Sequence, residues 1–172
     1  MANENWKDTA ELIGIAAIVA TLIFVGLQMQ QSQEIAIADQ YQDRADAALE
    51  WYLGRIQSST AMAVTANRIS DSATSASSSP AINVALESEG PDVVAFRYLA
   101  YRSNLTMFDN YHFQYERGFL TEEAWRAYRV RLKDVLSTDV TAAMYRQQAT
   151  HWRQSFQDLC SQILAEIDTE SK

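Results

Sequence analysis

Between Glu11 and Glu34 the chain carries no charged side chain, and most of that stretch, Leu12 to Leu27 (LIGIAAIVATLIFVGL), is apolar or small. A helix there places about 18 residues, roughly 27 Å, across a hydrocarbon core about 30 Å thick. The expectation is a single membrane-spanning helix, with residues 1–33 as anchor and Trp6 at the interface. Two other readings fit less well. A secretory signal wants a basic start, whereas Lys7 stands here against Glu4, Asp8 and Glu11, and the cleavage-like Ala36-Ile37-Ala38 lies too far beyond Leu27. A buried helix of a soluble domain suits the apolar run alone, but Gln28 to Gln33 add no charge and lengthen it toward a span.

After the anchor roughly 140 residues remain, enough for one modest domain. With only five Gly and two Pro, and apolar residues at helical spacing, the chain is expected to be all-α. The architecture expected is a transmembrane helix continuing into a long stalk helix, 34–69, which packs with three further helices as an antiparallel bundle. A Ser-rich flexible loop (70–80) leads into the bundle domain (81–172). The net charge of −8 argues against a nucleic-acid partner, which would need a basic surface. Cys160 is the only cysteine, so no intramolecular disulfide forms, and it reads as a small core residue.

Small residues share one stripe of the first helix, Ala10, Gly14, Ala17 and Thr21, where helix backbones can approach closely in lipid. Farther along, Ile35, Ala38, Gln42, Ala45, Leu49, Tyr52 and Ile56 repeat at heptad-like spacing, so stripe and stalk together favour a homo-oligomer. Five acids against Arg44 between Glu34 and Glu50, and nine bases against six acids between Arg97 and Arg153, suggest that the early helix faces the later ones, the alternative being two solvated faces.

Gly90-Pro91 opens a helix to about Arg117, with the aromatic seam Val94, Tyr98, Tyr101, Leu105, Phe108, His112 and Tyr115. Gly118-Phe119 reads as a left-handed cap, and Thr121 caps a helix beginning Glu122-Glu123. Trp125, Tyr128, Leu132 and Val135 line the inner face of that helix. A last helix from about Asp139 to Ile167 buries Tyr145, Ala149, Trp152, Phe156, Leu159, Ile163 and Ile167.

The run ELIGIAAIVATLIFVGLQMQQSQ, and later FDNYHFQYERGFLTEEAW before a Trp/Phe-bearing terminal helix, resembles a widespread family of uncharacterised small bacterial membrane proteins with one N-terminal transmembrane helix. In that family the span typically leads into a Gln-Ile-Arg-Gln-Asn-like segment; Gln28-Met29-Gln30-Gln31-Ser32 resembles it without the Arg. The resemblance implies a bacterial inner-membrane, single-pass protein with a cytoplasmic soluble domain, and it implies no activity. Local charge favours the opposite orientation, through Lys7 alone.

Three constellations carry chemistry. Asp109, His112 and Glu116 project from one helical face and are the only candidate metal ligands; a second carboxylate-and-histidine helix is lacking, so a core histidine oriented by Asp109 or Glu116 is the expectation. Arg126, Arg129 and Lys133 form a basic face that can meet anionic lipid, pair with the acidic stalk or stay solvated. The rings of Tyr98, Tyr101, Phe108 and Tyr115 either pack as core or enclose a small apolar ligand, in which case they line a cavity. No phosphate loop, nucleophile elbow or zinc helix occurs. The reading is a membrane-anchored interaction or assembly module without catalytic activity or cofactor, self-associating. Its partners are the lipid bilayer, a second copy and an unidentified protein. The alternative is a tethered sensor of an apolar ligand.

Overall fold

Helix boundaries in the second half fall where the sequence supplies a reason for them. The computed structural model describes residues 2–73 and 79–170. Its helices are α1 (Ala2–Gln57), α2 (Ser59–Ala73), α3 (Pro80–Glu89), α4 (Pro91–Glu116), α5 (Glu122–Leu136), α6 (Asp139–Gln148) and α7 (Gln154–Glu170), with a short 3₁₀ turn at Ala149–His151. No strand occurs among the described residues.

Gly90 (φ 88°) ends α3 and leaves Pro91 as the first residue of α4. Gly118 (φ 77°) ends α4 with the expected cap: the Phe119 N–H reaches the Gln114 carbonyl (2.9 Å) and the Gly118 N–H that of Tyr115 (2.9 Å). The Thr121 Oγ1 accepts from the Ala124 N–H at 3.3 Å and starts α5, and Thr138 does the same for α6 through Thr141.

Two compact units divide the chain, Met1–Tyr41 and Gln42–Lys172. The first is helix throughout its described length. Its large apolar side chains lie open, Leu12 70%, Ile18 62% and Phe24 59% exposed among them. An 18-residue window within it has mean hydropathy 2.4 and no buried residue, so the helix is long and apolar enough to cross a membrane.

The second unit is a helical bundle. Its core gathers Val94, Tyr101 and Leu105 of α4, Leu132 and Leu136 of α5, Met144 and Tyr145 of α6, and Phe156, Cys160 and Ile163 of α7. Burial pushes the Cys160 thiol up to about 12, so this cysteine is a neutral core residue as expected. The expected inner face of α5 points inward, Trp125 and Leu132 buried and Tyr128 and Val135 packed against the core.

Three expected elements are corrected. The stalk helix, expected to run to residue 69, stops at Gln57. Ser58 accepts the Ala61 N–H on its Oγ (3.3 Å), and the run Ser58-Ser59-Thr60, a turn after Gly54, is poor helix former. Arg55 then hydrogen-bonds Thr65 at 2.9 Å, ten residues on. In a straight helix that separation is about 15 Å, farther than an arginine side chain reaches, so the chain bends at Ser58.

Ser70 to Ala73, expected as loop, belong to α2, and positions 74–78 of the Ser-rich segment lie outside the described residues. The expected final helix is two. Trp152 is extended (ψ 161°), and the Gln157 Nε2 donates to its carbonyl at 2.8 Å, taking the place of a helical partner. The inward pattern survives the break, because Tyr145, Phe156 and Ile163 are all buried.

The heptad-like repeat is partly used inside the second unit. Ala45 and Tyr52 are buried, the Asn110 Nδ2 donates to Gln42 at 2.6 Å, and Arg102 donates to the Tyr52 hydroxyl at 3.1 Å. Within the second unit, Asp43, Asp46 and Glu50 form no ion pair with later helices among the described residues; the observed pairs lie among residues 89–170.

Candidate functional site

The bend at Ser58 brings the end of α1 and the body of α2 beside α4 and α6, and the four helices leave a cleft of about 430 Å³. Trp51, Tyr52 and Arg55 come from α1, Thr65, Arg68, Ile69 and Ser72 from α2, Tyr98, Leu99 and Arg102 from α4, and Met144, Gln147 and Gln148 from α6, with Ile82 of α3. Among the described residues three arginines and no carboxylate line it, in a chain of net charge −8.

Arg102 is held from several sides. Its Nε donates to the Tyr52 hydroxyl (3.1 Å) and its Nη1 to the Gln148 Oε1 (3.0 Å), while the Gln148 Nε2 donates to the Tyr98 hydroxyl (3.0 Å). The guanidinium lies 4.9 Å from the Trp152 ring centre and 3.5 Å from the His151 Nδ1. Its Nη2 hydrogen-bonds nothing among the described residues. Arg55 donates to Thr65 and lies 4.8 Å from the Trp51 ring centre, a cation–π contact. Arg68 is exposed, and its side chain meets no partner among the described residues. Beneath these charges Leu99, Ile82 and Met144 are buried. The site thus combines a positive lip, in which Arg55 and Arg102 are held in place, with an apolar floor.

The candidate metal ligands meet an internal cation instead. Arg153 donates through Nε to the Asp109 Oδ1 (2.9 Å), through Nη2 to the Asp109 carbonyl (2.9 Å) and through Nη1 to the Glu116 Oε2 (2.8 Å). Burial raises the affinity of Glu116 for a proton, but hydrogen bonds from Arg153 and Ser155 outweigh it and hold the carboxyl below its ordinary range. His112 is buried against Trp125 (ring centres 5.1 Å) and Phe156, with its Nδ1 3.9 Å from Glu116, and desolvation lowers its pKa. It is an aromatic-packed core histidine. No group of three metal-ligating side chains is assembled among the described residues.

Of the basic face, Arg129 pairs with Glu166 (2.5 Å) and Lys133 with Glu170 (2.6 Å), both on α7, so two of its three charges are matched by a helix other than the expected stalk. Arg126 is exposed. The aromatic seam is divided. Tyr101 and Phe108 are packed into the core, the Tyr101 hydroxyl buried and without a hydrogen-bond partner among the described residues; Tyr115 stacks on Trp125 at 5.3 Å. Only Tyr98 of the four lines the cleft. The stripe Ala10, Gly14, Ala17 and Thr21 is exposed, a Cβ at Gly14 would meet nothing within 4 Å, and the Thr21 hydroxyl donates to the Ala17 carbonyl.

Arg55, Arg68 and Arg102 carry no mark in the sequence, since they fall in no motif and share no helical repeat. The only local hint is that Arg102 follows Tyr98 by one turn, on the edge of the seam. Comparisons with protein families, with curated proteins and with solved structures find no match to this chain.

Proposed function

We propose that this protein is a single-pass, membrane-anchored helical module that acts by association rather than by catalysis. One observation carries the reading: the apolar run Leu12–Leu27 is helical and open along its whole length. Burying a large apolar side chain is worth about 1.5–3 kcal/mol, so a row of them facing water is costly, whereas a bilayer removes that cost. The resemblance to small bacterial membrane proteins supports the inner membrane, with the unit Gln42–Lys172 on the cytoplasmic side. Reporter fusions at Lys172 test that orientation.

Self-association in this reading belongs to the stripe Ala10, Gly14, Ala17 and Thr21, because part of the heptad-like repeat is occupied within its own bundle. The chain is expected to stay in the membrane pellet after alkaline extraction, and Ile18→Arg with Leu22→Arg to release it; extraction of the unaltered chain would sink the reading. A Gly14→Cys variant should form disulfide-linked dimers in membranes while an Ile15→Cys variant does not, and equal yields would remove the stripe as the contact face.

A further inference from the structure

We infer that the cleft between α1, α2, α4 and α6 binds a small organic anion, a carboxylate or phosphate ester with an apolar body, through Arg55, Arg68 and Arg102. The inference goes beyond the proposed function and does not depend on membrane anchoring.

Charge is the first argument. Four bases of this unit are paired with acids, Arg97 with Glu89 (2.9 Å), Arg129 with Glu166 (2.5 Å), Lys133 with Glu170 (2.6 Å) and Arg153 with Asp109 (2.9 Å), and what sets the cleft apart from the other unpaired bases is that three of them line one cavity. Among the described residues the three cleft arginines form no such pair and no acid lines the cavity, although the chain holds 22 acids against 14 bases. Like charges gathered in a partly enclosed space repel, and an anion supplies the missing counter-charge.

Preorganisation is the second. Tyr52 and Gln148 fix two nitrogens of Arg102 and leave the third available, while Thr65 and Trp51 hold Arg55. A planar fork already held in place recognises carboxylate or phosphate at lower entropic cost. Size and floor make the third argument. A volume of about 430 Å³ suits a small organic molecule, and buried Leu99, Ile82 and Met144 offer its body an apolar surface that an inorganic ion would not use.

Calorimetric titration of the full chain in non-ionic detergent tests this with phenyl phosphate, benzoate, benzamide and inorganic phosphate. Phenyl phosphate and benzoate are expected to bind saturably at one site per chain, with benzamide and inorganic phosphate each weaker by about tenfold or more. Arg102→Gln should weaken phenyl phosphate by about tenfold, the loss of one charge-assisted hydrogen bond. Because Arg102 also ties helices together, Arg68→Gln, which breaks no side-chain hydrogen bond or ion pair among the described residues, is the second variant and should weaken binding about threefold.

Arg126→Gln, on α5 outside the cleft, should change nothing. Benzamide binding as well as benzoate, inorganic phosphate binding as well as phenyl phosphate, or an equal loss in Arg126→Gln would each overturn the inference, as would no saturable binding of either organic anion. Phosphatidylglycerol added to the detergent should not compete; competition would reassign the site to a lipid head group and overturn a soluble ligand.

Discussion

Arg153 and Arg102 each anchor a polar network on α4, and each lies against an aromatic ring, Phe113 at 5.1 Å and Trp152 at 4.9 Å. Their electrostatic settings are opposite. Arg153 is surrounded by Asp109 and Glu116, so its charge is consumed in closing α7 onto α4. Arg102 is held by a hydroxyl, an amide and an imidazole, which orient a cation without cancelling it. The difference separates a charge that builds the fold from one left for something else to meet.

The largest test of that contrast is Arg153→Ala. It leaves the buried Asp109 without its guanidinium, and with the partial exposure of the pair the expected loss is about 3 kcal/mol, read by chemical denaturation. Arg68→Gln, by contrast, should change stability by less than about 0.5 kcal/mol. A comparable loss in both would erase the distinction.

Acid provides the next test. His112 has a folded pKa below its ordinary 6.5, so the unfolded chain binds the proton more readily and stability falls as pH drops below about 6.5. Glu116, also lowered, adds a second loss as pH falls below about 4.5. His112→Phe should remove the first decline and leave the second; a curve unchanged between pH 7 and 5 would show that His112 does not titrate with folding. The smallest effect belongs to Glu166→Gln. It frees Arg129 at a partly exposed site, where the cost should be under about 1 kcal/mol and shrink further in high salt.

Features readable from sequence depend on near neighbours in the chain. Gly118 takes a positive φ and the Thr121 hydroxyl oxygen accepts from a helix-start N–H because those needs are met within a few residues. The buried positions Val94, Leu105, Phe156 and Ile163 follow from helical spacing alone. The breaks at Ser58 and at Ala149–Arg153 contain no Gly or Pro. At Ser58 the poor helix formers Ser58-Ser59-Thr60 loosen the helix locally and Arg55 meets Thr65 across the bend, whereas at Ala149–Arg153 the break accompanies a contact between Arg153 and Asp109, a partner far away in the chain.

The sequence by itself therefore determined the helical class, the apolar length of α1, the caps and most of the core, all of which rest on local chemistry and periodicity. Only the tertiary structure decided which charges are spent. Arg129 and Arg153 found acids across the bundle, whereas Arg55, Arg68 and Arg102 were gathered around a cleft that no acid among the described residues lines. Pairing depends on distances between helices, and those distances are set by how the cores pack, which no spacing along the chain records.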